Sequence, residues 1–266
     1  MGALLLLLVA CSDNGEKKAT EDLVLAREAL DTDNFSKARE LIDSIKILYP
    51  KAYEARREGN RIMRQIDLKE QQQGLAFLEK TLSEKQEAVE LIKKQFVLEK
   101  DAEYQETGNY FLPAQTVERN MNRSYLRFQV DEHGAMTMTS IYCGANNIHH
   151  TGVKVIAPDG SFAETPTSKD RYETSDLDVK MEKVDYPIGQ DGNVVGFIYL
   201  NRDTNIRVEY QGERKYATTM SATDRKAAAE LYELSQTLSS IEQIKNEIKE
   251  TSMHVEFVKK NMERHE

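Results

Sequence analysis

Tyr125-Leu126-Arg127-Phe128-Gln129-Val130, followed by Asp131-Glu132-His133-Gly134 and then by Met136 and Met138, is the stretch on which the fold turns. Apolar and polar residues alternate with a period of two, the signature of a half-buried strand. The four residues that follow make a turn, with a glycine suited to positive φ. The two methionines then continue the alternation on a return strand. A β-hairpin is therefore expected at 125–138. Reading outward, Asp159-Gly160 and Asp191-Gly192 are two further hairpin signals. Val153–Ile156 and Val179–Val184 read as half-buried strands. Val194-Val195-Gly196-Phe197-Ile198-Tyr199-Leu200 reads as a central buried strand, and 206–210 and 215–218 complete the set. Short strands at this spacing predict an all-β, sandwich-like module over 108–221.

Both flanks are helical. Leu75, Leu78, Leu82, Lys85, Val89, Ile92, Phe96 and Glu99 recur in alternating steps of three and four, a heptad stripe inside a long helix expected over 53–107. Beyond the β-region, Ser221 with Asp224 resembles a capping box. Ala227, Leu231, Leu234, Leu238, Ile241, Ile248, Val255 and Met262 then form a second stripe within 222–266. Helices of roughly 35–40 residues would each extend about 50–60 Å. Neither buries its stripe alone, so 222–266 is expected to pair antiparallel with 75–106. The fold class is then α+β: an N-terminal helical pair, a long coiled-coil hairpin, and a β-module inserted between the two long helices.

The N-terminus carries the most specific local motif. Ala3–Ala10 is a short apolar run of the kind found in secretory signals. Leu8-Val9-Ala10-Cys11 resembles the lipobox of bacterial lipoproteins. The resemblance implies cleavage of a signal peptide, residues 1–10, and attachment of lipid to Cys11. Residues 11–19 then form a lipidated tether. It further implies a cell-envelope location, most readily the outer membrane, with the protein held at the membrane through Cys11. The other cysteine, Cys143, is left without an intramolecular partner.

Residues 20–52 read as a helical pair. Phe35, Ala38, Ile42, Ile45 and Pro50 follow a spacing that resembles a tetratricopeptide repeat, with Ala38 as the small residue at the helix–helix contact. Asp33-Asn34 stands where that family usually has Gly-Asp, and no second copy follows. The resemblance implies a helical pair and no peptide groove; a plain helical hairpin is the alternative.

Composition narrows the function. The 266 residues carry 36 Lys+Arg and 45 Asp+Glu, a net charge of −9, without a long basic run. Nucleic acid is not an expected partner, because phosphate contacts need clustered positive charge. No apolar run reaches the roughly 20 residues that span a bilayer.

Candidate chemistry is sparse. Cys143, His149 and His150 are the one cluster of soft ligands, but adjacent histidines on a strand point to opposite faces and His133 falls in a turn. No metal site is expected, and the histidines read as polar loop residues. Asp159-Gly160-Ser161 is a turn, not a nucleophile elbow. No glycine-rich phosphate loop occurs, and no cofactor is expected. Asp176, Asp178, Glu182 and Asp185 read as a solvated strand face, and with Asp170 they are too scattered for a calcium loop. No catalytic residue is expected. Sugar platforms favour Trp, of which there is none, although Tyr125, Tyr142, Tyr186, Tyr199, Tyr210 and Tyr216 offer substitutes. The expectation is a non-enzymatic envelope lipoprotein acting as scaffold, adaptor or docking module toward another envelope protein, through its β-module. Capture of a glycan or peptide is the alternative.

Overall fold

A computed structural model describes residues 10–176 and 178–264. The protein is of mixed α+β class, with five α-helices and two antiparallel sheets among the described residues. It divides into two compact units, one formed by residues 10–81 with 245–264 and the other by 82–244.

The first unit is helical. It holds α1 (Ala10–Asp31), α2 (Phe35–Leu48), the first part of α3 (Tyr53–Lys93) and the last part of α5 (Ala222–Glu263). Asn34 starts α2, its side chain accepting the Lys37 N–H, and so satisfies one of the free donors of a helix start. Leu23, Ala26 and Leu30 of α1 form one buried cluster with Ala38, Ile42 and Ile45 of α2. Ala55, Ile62 and Ile66 of α3 complete that cluster, so a third helix belongs to the core of the expected pair. Gly59 makes this approach close, since a Cβ there would lie 3.1 Å from Ile42 Cγ2. The stretch 12–19, read as a tether, is helical, and Ala19 is fully buried.

The second unit holds the strands. Its larger sheet comprises β1 (Val97–Glu99), β2 (Asn109–Phe111), β3 (Tyr125–Asp131), β4 (Met136–Gly144), β7 (Tyr172–Asp176) and β8 (Val179–Pro187), in the order β1-β2-β3-β4-β8-β7. The smaller comprises β5 (Gly152–Ile156), β6 (Phe162–Glu164), β9 (Arg207–Gln211) and β10 (Tyr216–Thr219), in the order β10-β9-β5-β6. The 125–138 hairpin forms as the alternation predicts. Phe128 pairs with Met138 and Val130 with Met136, and all four are buried. Gly134 has φ +96° at the turn, and its carbonyl accepts the Ser235 hydroxyl of α5 at 2.6 Å. Asp159-Gly160 likewise turns β5 into β6.

Three expectations are corrected. Helix α3 runs unbroken through Gln71–Gly74 but ends at Lys93, well short of 107. The heptad continues through Phe96 and Glu99 only in the sequence. Phe96 is buried in the core of the second unit, and Val97–Glu99 pair with Asn109–Phe111 as an edge strand. Sheet hydrogen bonds and a buried ring replace the next helical turns. The 108–221 segment is also not all-β, because Val194–Leu200 is a helix, α4. Asp191 directs this: its Oδ2 accepts the Val195 N–H at 2.8 Å and its Oδ1 the Gly189 N–H. Gly192 and Asn193, both at positive φ, lead in. Val194, Val195 and Ile198 then reach the core at helical spacing, overriding the β-propensity of the run. Asp191-Gly192 is therefore a helix entrance and not a hairpin turn.

At the start of α5 the Ser221 side chain makes the capping bond, but Asp224 returns to its hydroxyl rather than to its backbone N–H. The Asp224 N–H donates to Ser221 Oγ (3.1 Å), and that hydroxyl donates to Asp224 Oδ2 (2.6 Å). Leu231, Leu234, Leu238 and Ile241 of α5 join Val89 of α3 and residues of both sheets in one core.

Candidate functional site

The lipobox lies outside the described residues: Leu8 and Val9 fall before them, and of Cys11 only the helical backbone is described. Two arrangements of side chains in the second unit are candidate sites.

The first is a polar network between β4, β8, β7 and the 145–151 loop. Strand alternation points Ser140, Tyr142, Glu182 and Val184 to the inner face of the larger sheet. Cys143 points the other way, to the opposite face of the sheet. Glu182 is fully buried, not solvated. Its carboxylate accepts the backbone N–H groups of Ile148 (2.7 Å), His149 (2.9 Å) and His150 (2.8 Å), and lies 3.0 Å from His150 Nδ1. Burial alone would raise its pKa. The N–H donors and the His150 ring outweigh that and hold the carboxyl below its ordinary value.

His150 is likewise fully buried, contrary to the expectation of a polar loop residue. Burial pushes its pKa down against the pull of Glu182. With Nδ1 facing Glu182, Nε2 lies 2.9 Å from Ser140 Oγ, which also lies 3.4 Å from the Val184 carbonyl oxygen. Serine, histidine and carboxylate thus stand in the relation of nucleophile, base and orienter. Sequence reasoning missed this arrangement because Ser140 and Glu182 meet only through strand pairing. All three side chains are closed to solvent, at 0% exposure. The constellation fastens the loop to the sheet and has no surface at which a substrate would meet Ser140.

His149, at φ +51°, turns outward to Glu173, which stands opposite Glu182 across β7 and β8. Like charges directly opposite repel. His149 Nδ1, 2.9 Å from Glu173 Oε1, relieves this, and the hydrogen bond to Glu173 raises the histidine pKa while lowering that of Glu173. Ligand atoms of His149, Glu173 and Glu182 lie within 4.8 Å of one another, a spacing that a metal ion could bridge. Their oxygens are already engaged, however. Arg171 Nε sits 2.9 Å from Glu173 Oε1, and the Asn147 side chain donates to Oε2. The cluster is neutralised by protein cations and donors.

The second site is an open groove of about 680 Å³ between the 99–105 segment and strands β2 and β3. Its floor is Arg127, whose guanidinium stacks 4.2 Å from the Phe111 ring centroid. The Arg127 side chain is only 17% exposed. Its nearest charged partner, Glu99, is at 3.6 Å, beyond hydrogen-bond range, and its Nε is buried without a partner. Lys100, Asp101, Asn109 and Gln129 line the same groove. The alternation at 125–130 had marked Arg127 and Gln129 as outward polar positions. The opposite wall was hidden, because 99–105 reads as helix.

Of the candidate sugar-platform tyrosines, Tyr125, Tyr142, Tyr186 and Tyr210 are buried. Tyr142, Tyr210 and Tyr216 pack together, with ring centroids 5.2–6.3 Å apart. Tyr142 and Tyr210 are core packing, Tyr216 at 36% exposure packs against them, and Tyr199 is half-buried beside Tyr232. Asp178 and Asp185 of the carboxylate group are exposed, and Asp185 accepts the Thr139 hydroxyl.

Compared with protein-family models, with curated proteins and with solved structures, the chain finds no match.

Proposed function

We propose that this is a non-enzymatic envelope lipoprotein, anchored in the membrane, most readily the outer membrane, by lipid on Cys11. Its strand-bearing unit recognises a partner in the envelope. One observation carries the recognition part: in the Arg127 groove a mostly buried guanidinium is presented without a hydrogen-bond acceptor. A cation desolvated to that degree is costly unless a ligand completes it. The Ser140–His150–Glu182 constellation, by contrast, serves loop geometry.

In the same reading α3 and α5 are antiparallel partners, with the strands lying between them in the sequence. Two contacts support that pairing. His254 Nε2 of α5 lies 3.1 Å from Asp67 Oδ2 of α3, and Val89 of α3 shares a core with Leu234 and Leu238 of α5. Cysteines at positions 67 and 254 should be joined within one chain by a short bismaleimide, and failure to join them would refute the pairing. The tetratricopeptide-like character of the N-terminal pair is part of the same reading, supported by the buried Ala38 and Ile42.

The test has two arms. Cys11→Ser protein should leave the membrane fraction, since lipid chains supply the anchoring. A photo-crosslinking amino acid at the exposed Gln105, on the groove wall, should yield a crosslinked species in native membranes that disappears in Arg127→Gln. A Cys11→Ser protein that stays in the membrane, or a crosslink indifferent to Arg127, refutes the corresponding arm.

A further inference from the structure

We infer that the Arg127 groove binds an acidic sugar: a ring bearing one carboxylate and neighbouring hydroxyls, of the hexuronic-acid kind. The inference rests on the reading of this groove as a recognition site and names the ligand class. Three side chains with unused donors meet there. Arg127 has no hydrogen-bond acceptor among the described residues, and the amides of Asn109 and Gln129 have no hydrogen bond either. Asn109 pairs with Asp131 on β3, only two residues beyond Gln129, so both amides flank one patch of the sheet.

The Arg127 guanidinium carbon lies 4.2 Å from the Phe111 ring centroid, and its terminal N–H groups, which make no hydrogen bond among the described residues, can grip a carboxylate. Glu99 and Asp101 add carboxylate acceptors on the opposite wall, which would repel a simple anion but suit hydroxyl donors. The combination of one cation, two amides and two carboxylates asks for a ligand with both a carboxylate and hydroxyls. A peptide held by its apolar side chains would need an apolar pocket, and Phe111 is 3% exposed beneath Arg127. A neutral sugar would leave Glu99, at 3.6 Å and beyond hydrogen-bond range, as the nearest counter-charge of Arg127.

The test is isothermal titration of the full chain with D-glucuronate, D-glucose and acetate. Glucuronate should bind at least about tenfold more tightly than either control, and Arg127→Gln should lose at least about tenfold, the scale of a lost charge-assisted hydrogen bond. Gln129→Ala, at a half-buried position without an internal hydrogen bond, should keep the fold and still weaken glucuronate. Equal binding of glucose, equal binding of acetate, no glucuronate binding, or indifference to both substitutions would each overturn the assignment. If glucuronate does not bind while the Gln105 crosslink still depends on Arg127, the recognition surface stands and only the sugar is wrong. If neither responds, both readings fall.

Discussion

Removing the Glu182 carboxylate should release the 145–151 loop while leaving the sheet beneath it largely in place. Four donors converge on this group: the N–H of Ile148, His149 and His150, and the His150 ring. Each buried donor left without an acceptor costs about 1–3 kcal/mol. Glu182→Ala therefore forfeits at least about 4 kcal/mol, a large share of the 5–15 kcal/mol that holds a typical domain together. Glu182→Gln is milder. One amide oxygen still serves Ile148 and His149, while the amide nitrogen opposes the His150 N–H. The His150 ring can answer by turning Nδ1 into an acceptor and donating from Nε2 to Ser140. One backbone bond is lost, a cost of about 1–3 kcal/mol. The assay is amide hydrogen exchange of the full chain, read at 148–150. Protection there should fall steeply in the alanine variant and moderately in the glutamine variant. The wild-type carboxyl is held below its ordinary pKa, so its contribution is present above the unfolded value of about 4.3 and is lost as pH falls through the folded value. That acid-side loss should vanish in Glu182→Gln. Unchanged protection at 148–150 in Glu182→Ala would refute the claim that the carboxylate holds the loop.

Three further outcomes follow from the same structure. His149 has the opposite sign: its pKa is raised by Glu173, so its contribution is complete below about 6.5 and is lost as pH rises through the folded value. Imidazole titration by NMR should show this elevation, and Glu173→Gln should abolish it; a His149 pKa unmoved by that change would contradict the pairing. Gly134→Ala meets both a positive φ and a Cβ 2.5 Å from Ser239 N, so urea denaturation should show a loss of about 3 kcal/mol. Gly160→Ala has positive φ but open space and should lose only about 1–2 kcal/mol; equal losses would mean that the contact with α5 does not matter. Leu234→Asp places a charge at a fully buried position, and soluble folded protein at wild-type yield would show that α5 does not pack as described.

Local signals carried much of the fold. The 125–138 hairpin was legible because alternation and a glycine turn agree, and the α5 start because Ser221 and Asp224 sit at capping distance. Misreadings arose where local pattern and long-range packing disagree. Val194–Leu200 has the composition of a strand, yet the Asp191 carboxylate bonded to the Val195 N–H starts a helix there. The heptad through Phe96 has the period of a helix, yet β2 offers Val97–Glu99 a pairing partner. Candidate sites suffered most. Glu182 and Asp185 look alike in the sequence and sit three residues apart on one strand. Odd spacing sends them to opposite faces, one sealed and one solvated.

By itself, the amino-acid sequence determined the class: long amphipathic helices on either side of a strand-rich stretch, the positions of the main turns, and a net charge of −9. These are properties of periodicity and composition, which a residue shares with neighbours a few positions away. Only the tertiary structure decided where α3 stops, that Ser140, His150 and Glu182 meet in a closed core, and that Arg127 lies on Phe111 at the floor of a groove walled by the 99–105 segment. Each of those depends on groups far apart in the chain coming within a few ångströms, and on burial changing what a charged or polar side chain must find as a partner. No local pattern encodes that.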